Sequence, residues 1–552
     1  MSATTTDHKT ERENDLNEIK FSNHPKKVVV AGPGTGKSFL FGELIKKKRE
    51  EGKTKFLAIT FIGKLGDSLA DELCGLAKTT TMHSFARSFV LEHCNGWNYY
   101  PRIYEIIAED LKNEKIISFE IGDEKYKQKT KHYKAIGDDD VVYYATQICK
   151  KDETKIPQYD LVLIDEYQDF NSIESELVDL LAKKNEIIIV GDDDQALYAF
   201  KGSSPSFIRL KYHNTNTDWK SFTLRFCSRC TKVIIKCFHG LVSAYKLNDE
   251  AESDLTKKRI EKEYICYLTG KGDGKDADSD ANSKIHLIKN CPVGMIAHKI
   301  KTELEKIIEN QKIQDVLVIG EGRSCKDLLK TIAQQLKNYG FKNVDYRGDR
   351  EIIPFEQSKV DAYKFIEKDE SSTLGWRILG NPTNEDEKKR HKKNAKSLYT
   401  VINGTPSNLS RLAGKNIMAM ESEIENWGQS TGDMETQRND QNEKIRKSVL
   451  IHELKRSNLY LPRPLCNLDI TVCNILNSKG LGADAVFIIG FDQGWLPTEK
   501  KAKSSEIYQM LVAVTRAKKR IYLINTIDKK VSQFAEHIDE NDLDVQEIKS
   551  KK

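Results

Sequence analysis

No stretch of this 552-residue chain is both long and apolar enough to suggest a membrane span. Its longest apolar runs, such as Ala485–Phe491, are strand-sized, whereas a spanning helix needs about 20 apolar residues. The N-terminal MSATTTDHKTEREND has no apolar signal core, so a cytoplasmic protein without a membrane partner is expected. An excess of one charge is missing too. The 88 Lys and Arg against 83 Asp and Glu leave +5, a balance that neither demands nor excludes nucleic acid. The eleven cysteines are scattered and odd in number, which fits reduced thiols rather than a disulfide framework. Only Cys227, Cys230 and Cys237 cluster, and no second Cys/His group of zinc spacing follows them. That segment therefore reads as a packed strand-to-helix piece. No internal repeat and no fused nuclease module is visible.

What is present is a long soluble chain, 38% apolar and 31% charged, which calls for two to four domains. Its most informative segment is AGPGTGKS, Ala31–Ser38, directly after the apolar run Val28–Val30 and before the helix-compatible FLFGELIKKKRE. Gly32, Gly34 and Gly36, with Pro33 and Thr35 between them, let the backbone curl so that its N–H groups face an anion. The following helix adds its positive N-terminal end. Lys37 would reach the β- and γ-phosphates of a nucleotide and the Ser38 hydroxyl would ligate Mg²⁺.

Two further strand-like segments end in acids. In YDLVLIDEYQD, Tyr159–Asp169, Asp165 fits a metal-holding role and Glu166 a base that prepares water. In EIIIVGDDDQALYAFKGS, Glu186–Ser203, Gln195 is placed to sense a γ-phosphate. Three strand-then-polar-tip units in one chain, all suited to phosphate and Mg²⁺, predict an NTPase of parallel α/β layers with its site at the carboxyl ends of the strands.

These segments, in order, resemble the UvrD/Rep-like superfamily 1 helicases. ITFIGK (Ile59–Lys64), TMHSFA (Thr81–Ala86), DEYQD, GDDDQALYAFKG, LRFCSRC (Leu224–Cys230), YRGDREIIPFEQSKVDAYKFI (Tyr346–Ile366), SKGLGADAVFIIGFDQGWLP (Ser478–Pro497) and LVAVTRAKKRIYL (Leu511–Leu523) carry the likeness. The resemblance implies two RecA-like P-loop NTPase domains with parallel sheets, each interrupted by a mainly helical insertion. It implies ATP, or other NTPs, with Mg²⁺ as cofactors, and single-stranded or tailed duplex DNA as partner. Arg229 and Arg516 would complete the site from the second domain, with Gly480 beside the nucleotide. Arg suits that task because its fork grips phosphate oxygens and keeps its charge. Phe61, Tyr198 and Phe200 would stack on bases, with His83 and Lys201 near the DNA backbone.

Three positions depart from the family. No Gln lies upstream of the phosphate loop, the first being Gln128. A stacking Tyr is replaced by Ser228, and a ribose-side Glu by Gly482. The phosphate half of the expected site is intact while its base-and-sugar half is depleted, with Asn17 or Phe226 as substitutes. The expected organisation is 1–88 and 158–220 for the first RecA-like domain and 89–157 for its insertion. Residues 221–380 and 466–527 form the second domain, 381–465 its insertion, and 528–552 a charged tail, helical or disordered. The function implied is an ATP-dependent single-stranded DNA translocase or helicase running 3′ to 5′. The alternative is a DNA-stimulated ATPase serving as sensor or regulatory subunit of a partner nuclease.

Overall fold

A computed structural model of the chain describes residues 5–61, 69, 73, 75–213, 218–245, 254–267, 282–308, 313–321, 323–348, 355–402, 467–499 and 502–548. Two sheets organise the larger of its two compact units, Met1–Met82 with Glu153–Asp349 and Tyr460–Lys552. The first has six strands in the spatial order Lys78–Thr81, Phe56–Thr60, Leu161–Ile164, Ile187–Gly191, Lys26–Ala31, Lys220–Leu224, every pair parallel. Runs such as Val28-Val29-Val30 and Ile187-Ile188-Ile189 are wholly buried. This is the signature of strands covered on both faces by helices.

The second sheet has seven strands, also parallel: Asn343–Arg347, Asp469–Asn474, Asp315–Gly320, Ala483–Ile489, Ala517–Thr526, Ile285–Cys291 and Leu543–Glu547. The fold is therefore α/β with two RecA-like domains. A two-stranded ribbon, Phe226–Cys227 with Ile265–Cys266, follows the last strand of the first sheet. Among the described residues no helix is long and apolar enough to cross a membrane, and the described cysteines are free thiols.

The structure moves several expected boundaries. The break expected at 220/221 falls inside Lys220–Leu224, a strand bonded to Lys27–Ala31 of the first sheet. The stretch 528–552 is not merely a charged tail. Leu543–Glu547 adds an edge strand beside Ile285–Lys289, held by Leu543 and Ile548 against the core. Two apolar anchors among many charges left little signal in the sequence.

The second unit comprises His83–Asp152 and the described part of Arg350–Leu459. It is mainly helical, with helices Ile103–Asn113, Glu124–Tyr133, Val141–Lys151, Phe355–Lys368, Thr373–Ile378 and Glu385–Ile402. Leu374 sits in one core with Tyr100, Ile103, Ile107, Leu111, Tyr126 and Tyr133, and Arg377 bonds Asp110 at 3.0 Å. The two insertions thus pack as one body, and the second begins before the expected residue 381. Residues 403–466, most of that expected insertion, lie outside the described residues, as do residues 268–281.

In the larger unit, helix Ser172–Leu181 starts with a reciprocal cap. Asn171 Oδ1 accepts from Glu174 N at 3.0 Å and Glu174 Oε2 accepts from Asn171 N at 2.9 Å. Burial lifts the Glu174 carboxyl from 4.5 to about 7, against the lowering influence of the Asn171 N–H. The folded state therefore holds this proton more tightly than the unfolded chain does, and stability is lost as pH rises from 4.5 through about 7. Glu174→Gln keeps the acceptor and removes the charge. Its Tm is expected to exceed that of the wild type by about 2–4 °C at pH 8 and to match it at pH 5. Thermal unfolding at both pH values checks this, and an equal shift at the two would contradict it.

Candidate nucleotide site and nucleic-acid face

Strands Lys26–Ala31, Ile187–Gly191 and Leu161–Ile164 are parallel neighbours, so their carboxyl ends lie side by side. They deliver the phosphate loop, Asp192 and Asp165 to one edge of the sheet. The loop turns through Gly34 at φ 72° and Gly36 at φ 96°, left-handed conformations that glycine adopts without strain. A Cβ on Gly34 would also lie 2.3 Å from the Arg229 Cβ, so the loop and the Arg229 segment can approach only with glycine here. Thr35 Oγ1 donates to Gly32 O at 2.9 Å and locks the curl. Helix Lys37–Glu50 starts directly after the loop with no acid in its first turn, leaving its positive end for an anion.

Lys37 Nζ lies 2.9 Å from Glu166 Oε1 and 4.0 Å from Asp165 Oδ1. Burial opposes ionisation of Glu166, but Lys37 and Lys479 outweigh it and hold the carboxyl well below its usual range. Burial dominates at Asp165 and lifts it to about 6 despite Lys37. The half-buried Asp165 carboxylate and the Ser38 hydroxyl line the same cavity and are a hard-oxygen pair suited to Mg²⁺. Glu166 itself occupies the left-handed region at φ 54°, the turn that aims its side chain at Lys37.

The second RecA-like domain closes the site. Arg516, at the end of helix Ser504–Thr515, is 2% exposed, and its Nη2 donates to Gln195 Oε1 at 2.9 Å. Its Nε and Nη1 donate to Val512 O and Leu481 O at 3.0 and 3.1 Å. Burial and then Arg229 lower its pKa to about 10, which leaves it charged at neutral pH. Pro33, Gly34, Lys37, Ser38, Asp165, Glu166, Gln195, Arg229, Gly480 and Arg516 all border one cavity of about 90 Å³. Ten of the expected nucleotide-site residues are thereby brought together, and Gly32, Thr35 and Gly36 belong to the same loop.

Residues that the sequence did not single out hold this arrangement. Lys479 donates to Asp169 and, at 2.8 Å, to Gln195 O, and stands 3.6 Å from Glu166 Oε2. Gln168 bridges the strand tips, donating from Nε2 to Glu166 Oε2 at 2.6 Å and accepting from Asp192 N at 2.9 Å. Tyr264 Oη donates to Pro33 O at 2.6 Å, with its ring against Gly32. Lys479, Gln168 and Asp169 lie within recognisable motifs and were legible there. Tyr264 has no local signal, because its partner is 231 positions away.

The expected DNA-contacting residues fall into different settings. Phe200 is 70% exposed, and Lys201 beside it is exposed. Tyr198, expected as a platform, is only 6% exposed. It packs between Phe61 at 4.8 Å and Phe200 at 6.0 Å, with the Lys479 ammonium over its ring. It supports Phe200 rather than presenting a face of its own. Phe61 is partly buried against the core. His83 belongs to the helical unit. Of the departures, Ser228 is pinned to the phosphate loop, its N and Oγ donating to Gly34 O at 2.9 and 3.2 Å. Gly482 lies against Arg229, where a Cβ would meet its Nε at 3.6 Å, an ordinary contact. Asn17 is exposed, and Phe226 is buried against His8 at 5.2 Å.

A phosphate loop, an acidic strand tip and arginines from a second α/β domain define a two-domain P-loop NTPase. Comparison with known proteins narrows the class. The AAA domain model matches residues 17–201, and the UvrD-like helicase C-terminal domain model matches 379–527. A probable DNA helicase II homolog of Mycoplasma capricolum is 24% identical, over 70% of this chain and 58% of its own length. An ATP-dependent DNA helicase PcrA of Staphylococcus epidermidis is 21% identical, over 94% of this chain and 85% of its own. One component of an ATP-dependent helicase/nuclease from Lactococcus lactis is 30% identical, over 42% of this chain and 22% of its own. The chain belongs to the UvrD/Rep-like superfamily 1 helicases. It spans 58% of the Mycoplasma relative's length and smaller shares of several others.

Proposed function

We propose that the protein is an ATP-dependent single-stranded DNA translocase or helicase, moving 3′ to 5′, that hydrolyses NTP between its two RecA-like domains. The observation that carries this is the single cavity bordered by Lys37, Ser38, Asp165 and Glu166 from one domain and by Arg229 and Arg516 from the other. Phosphoryl transfer is accelerated mainly by positioning and charge neutralisation, and these groups supply both. The loop amides and Lys37 hold the β- and γ-phosphates. Ser38 and Asp165 would hold Mg²⁺, which neutralises charge on the phosphate oxygens.

A γ-phosphate competes with Glu166 for the Lys37 ammonium, and the released carboxylate then orients and accepts a proton from the attacking water. Arg516 and Arg229 stabilise charge on the transferred group, a contribution on the order of 10³–10⁵ in rate for such arginines. Because they come from the second domain, the cleft closes around NTP and relaxes after hydrolysis. Phe200 and Lys201 offer an exposed aromatic face and a cation to single-stranded DNA, with Tyr198 and Phe61 beneath them. His83 is assigned to the DNA backbone on the resemblance alone.

The similarity to a helicase/nuclease component favours one second reading, a DNA-stimulated ATPase that regulates a partner nuclease with little unwinding. Measuring strand displacement and hydrolysis on the same 3′-tailed duplex separates the two. Displacement that scales with hydrolysis supports the helicase, and fast hydrolysis without displacement supports the regulator.

Separate sites for chemistry and DNA give opposite phenotypes. Arg516→Ala is expected to keep DNA affinity within about twofold and to lose hydrolysis by on the order of 10³. Phe200→Ala is expected to weaken DNA binding by about 1–3 kcal/mol and abolish stimulation while basal hydrolysis persists. Equal loss of DNA binding in both variants, read by fluorescence anisotropy, would contradict the assignment. Glu166→Gln should bind ATP and not turn it over.

The depleted base side sets nucleotide preference. Sites that hydrogen-bond a group reject analogues lacking it by large factors, whereas sites without such contacts discriminate poorly. GTP hydrolysis is expected within about tenfold of ATP, a gap of about 1.4 kcal/mol. Comparing kcat/KM for ATP, GTP and dATP at saturating single-stranded DNA decides this, and a preference for ATP of about a hundredfold would sink it.

A further inference from the structure

Next to the nucleotide cavity lies a sealed group of six charges. Asp192, Asp193 and Asp194 have no exposed surface, and Lys262, Arg259 and Arg209 are at most 8% exposed. The three carboxylates lie close enough together to resemble a metal site, with ligand oxygens within 4.8 Å of one another. The cation among them is already part of the chain. Lys262 Nζ stands 2.6 Å from Asp192, 2.7 Å from Asp193 and 2.8 Å from Asp194. Arg259 grips Asp194 with two bonds of 2.7 and 2.6 Å, and Arg209 Nε bonds Asp193 at 2.9 Å. Three positive groups thus match three negative ones. Burial alone would strip the charge from Lys262, and the three carboxylates outweigh it and raise its pKa.

The geometry gives this lysine a direction of action. The two oxygens of the Asp192 carboxylate are divided: Oδ1 faces Lys262 at 2.6 Å, and Oδ2 accepts from Gln195 Nε2 at 2.5 Å. Gln195 in turn presents its Oε1 to Arg516 Nη2 at 2.9 Å. One unbroken chain of charge-assisted contacts therefore runs from Lys262 through Asp192 and Gln195 to Arg516 across the domain cleft. A second branch ends on the same helix, since Arg209 also donates to Tyr508 Oη at 3.1 Å, in Ser504–Thr515 just before Arg516.

The segment that carries Lys262 continues directly to Tyr264, whose hydroxyl donates to Pro33 O of the phosphate loop. Without the ammonium, Asp192 would face two like charges in a site closed to water. Protonation or rotation would relieve it, and either would disturb the amide of Gln195.

We propose that Lys262 is a positioning residue for NTP hydrolysis, a tethered cation that fixes Asp192 and thereby holds Gln195 and Arg516 in their reactive geometry. This rests on the reading of the protein as an NTP hydrolase. A lysine that served only to balance buried charge would act on folding instead, and a charge-restoring pair of variants separates the two roles. In Lys262→Met one cation is lost. In Lys262→Met with Asp193→Asn, cations and carboxylates are again equal in number, yet Asp192 still lacks its partner.

The experiment measures kcat and KM for ATP with single-stranded DNA on the full chain. It also measures thermal unfolding, and calorimetric affinity for Mg·ADP with and without aluminium fluoride as mimic of the transferred phosphoryl group. For the double variant, wild-type Tm within about 3 °C is expected, with ADP affinity within about twofold. The expected loss in kcat is about a hundredfold, and the gain in affinity from aluminium fluoride falls by a similar factor, since only the transition state is served.

The single variant is expected to show the same kinetic loss together with a lowered Tm. Where it does not fold, the double variant carries the comparison alone. A double variant that recovers both stability and wild-type kcat overturns the proposal, because Lys262 would then balance charge and nothing more. Turnover at the wild-type rate by Lys262→Met overturns it as well. A wild-type protein with no turnover overturns the hydrolase reading, and this inference with it.

Discussion

The carboxylate of Asp192 is the junction on which the candidate site depends. It stands at the tip of the strand Ile187–Gly191, between the phosphate-loop strand and the strand that carries Asp165. Its backbone N–H donates to Gln168, which holds Glu166, and its side chain receives Gln195 and Lys262. Parallel strand order makes this possible, because it brings three carboxyl ends to one edge. A shift of one residue in the pairing of Ile187–Gly191 would turn that side chain to the other face of the sheet.

Burying so many charges is costly, and a packed apolar interior would serve stability as well or better. The arrangement makes sense as a device with two states. Lys37 held by Glu166, and Arg516 Nη1 held by the Leu481 carbonyl, are contacts that a triphosphate can replace while Arg516 Nη2 stays on Gln195. Each exchange swaps one anionic or polar partner for another, so the cost of moving these cations is small compared with that of baring them. Lys262, Arg259 and Arg209 have no such exchange available: they are closed in with three aspartates. The switching charges thus rest on a fixed set behind them.

Much of this was legible in the residues. AGPGTGKS and DEYQD announce their chemistry locally, because the loop, the metal ligand and the base must lie within a few positions of a strand tip. Arg516 was legible through VTRAK, although not that its guanidinium bonds Gln195. What stayed hidden depends on distance along the chain. Lys262 is 68 to 70 positions from its aspartates and sits in KKRIEKEY, which reads as an ordinary solvated charge run. The joining of the two insertions through Leu374 and Arg377 is equally remote. Tyr198 misled for the same reason: its ring is covered by Phe61, which lies far away along the chain.

In the proposed mechanism, Gln195 and Arg516 act as one unit and assemble the catalytic site across the two domains. A double-mutant cycle on kcat, with Gln195→Ala, Arg516→Ala and the pair, tests it directly. If the two act together, the double variant should be slower than the slower single variant by no more than about threefold. Losses that multiply in the double variant would mean that the two residues act independently, and would contradict the claim.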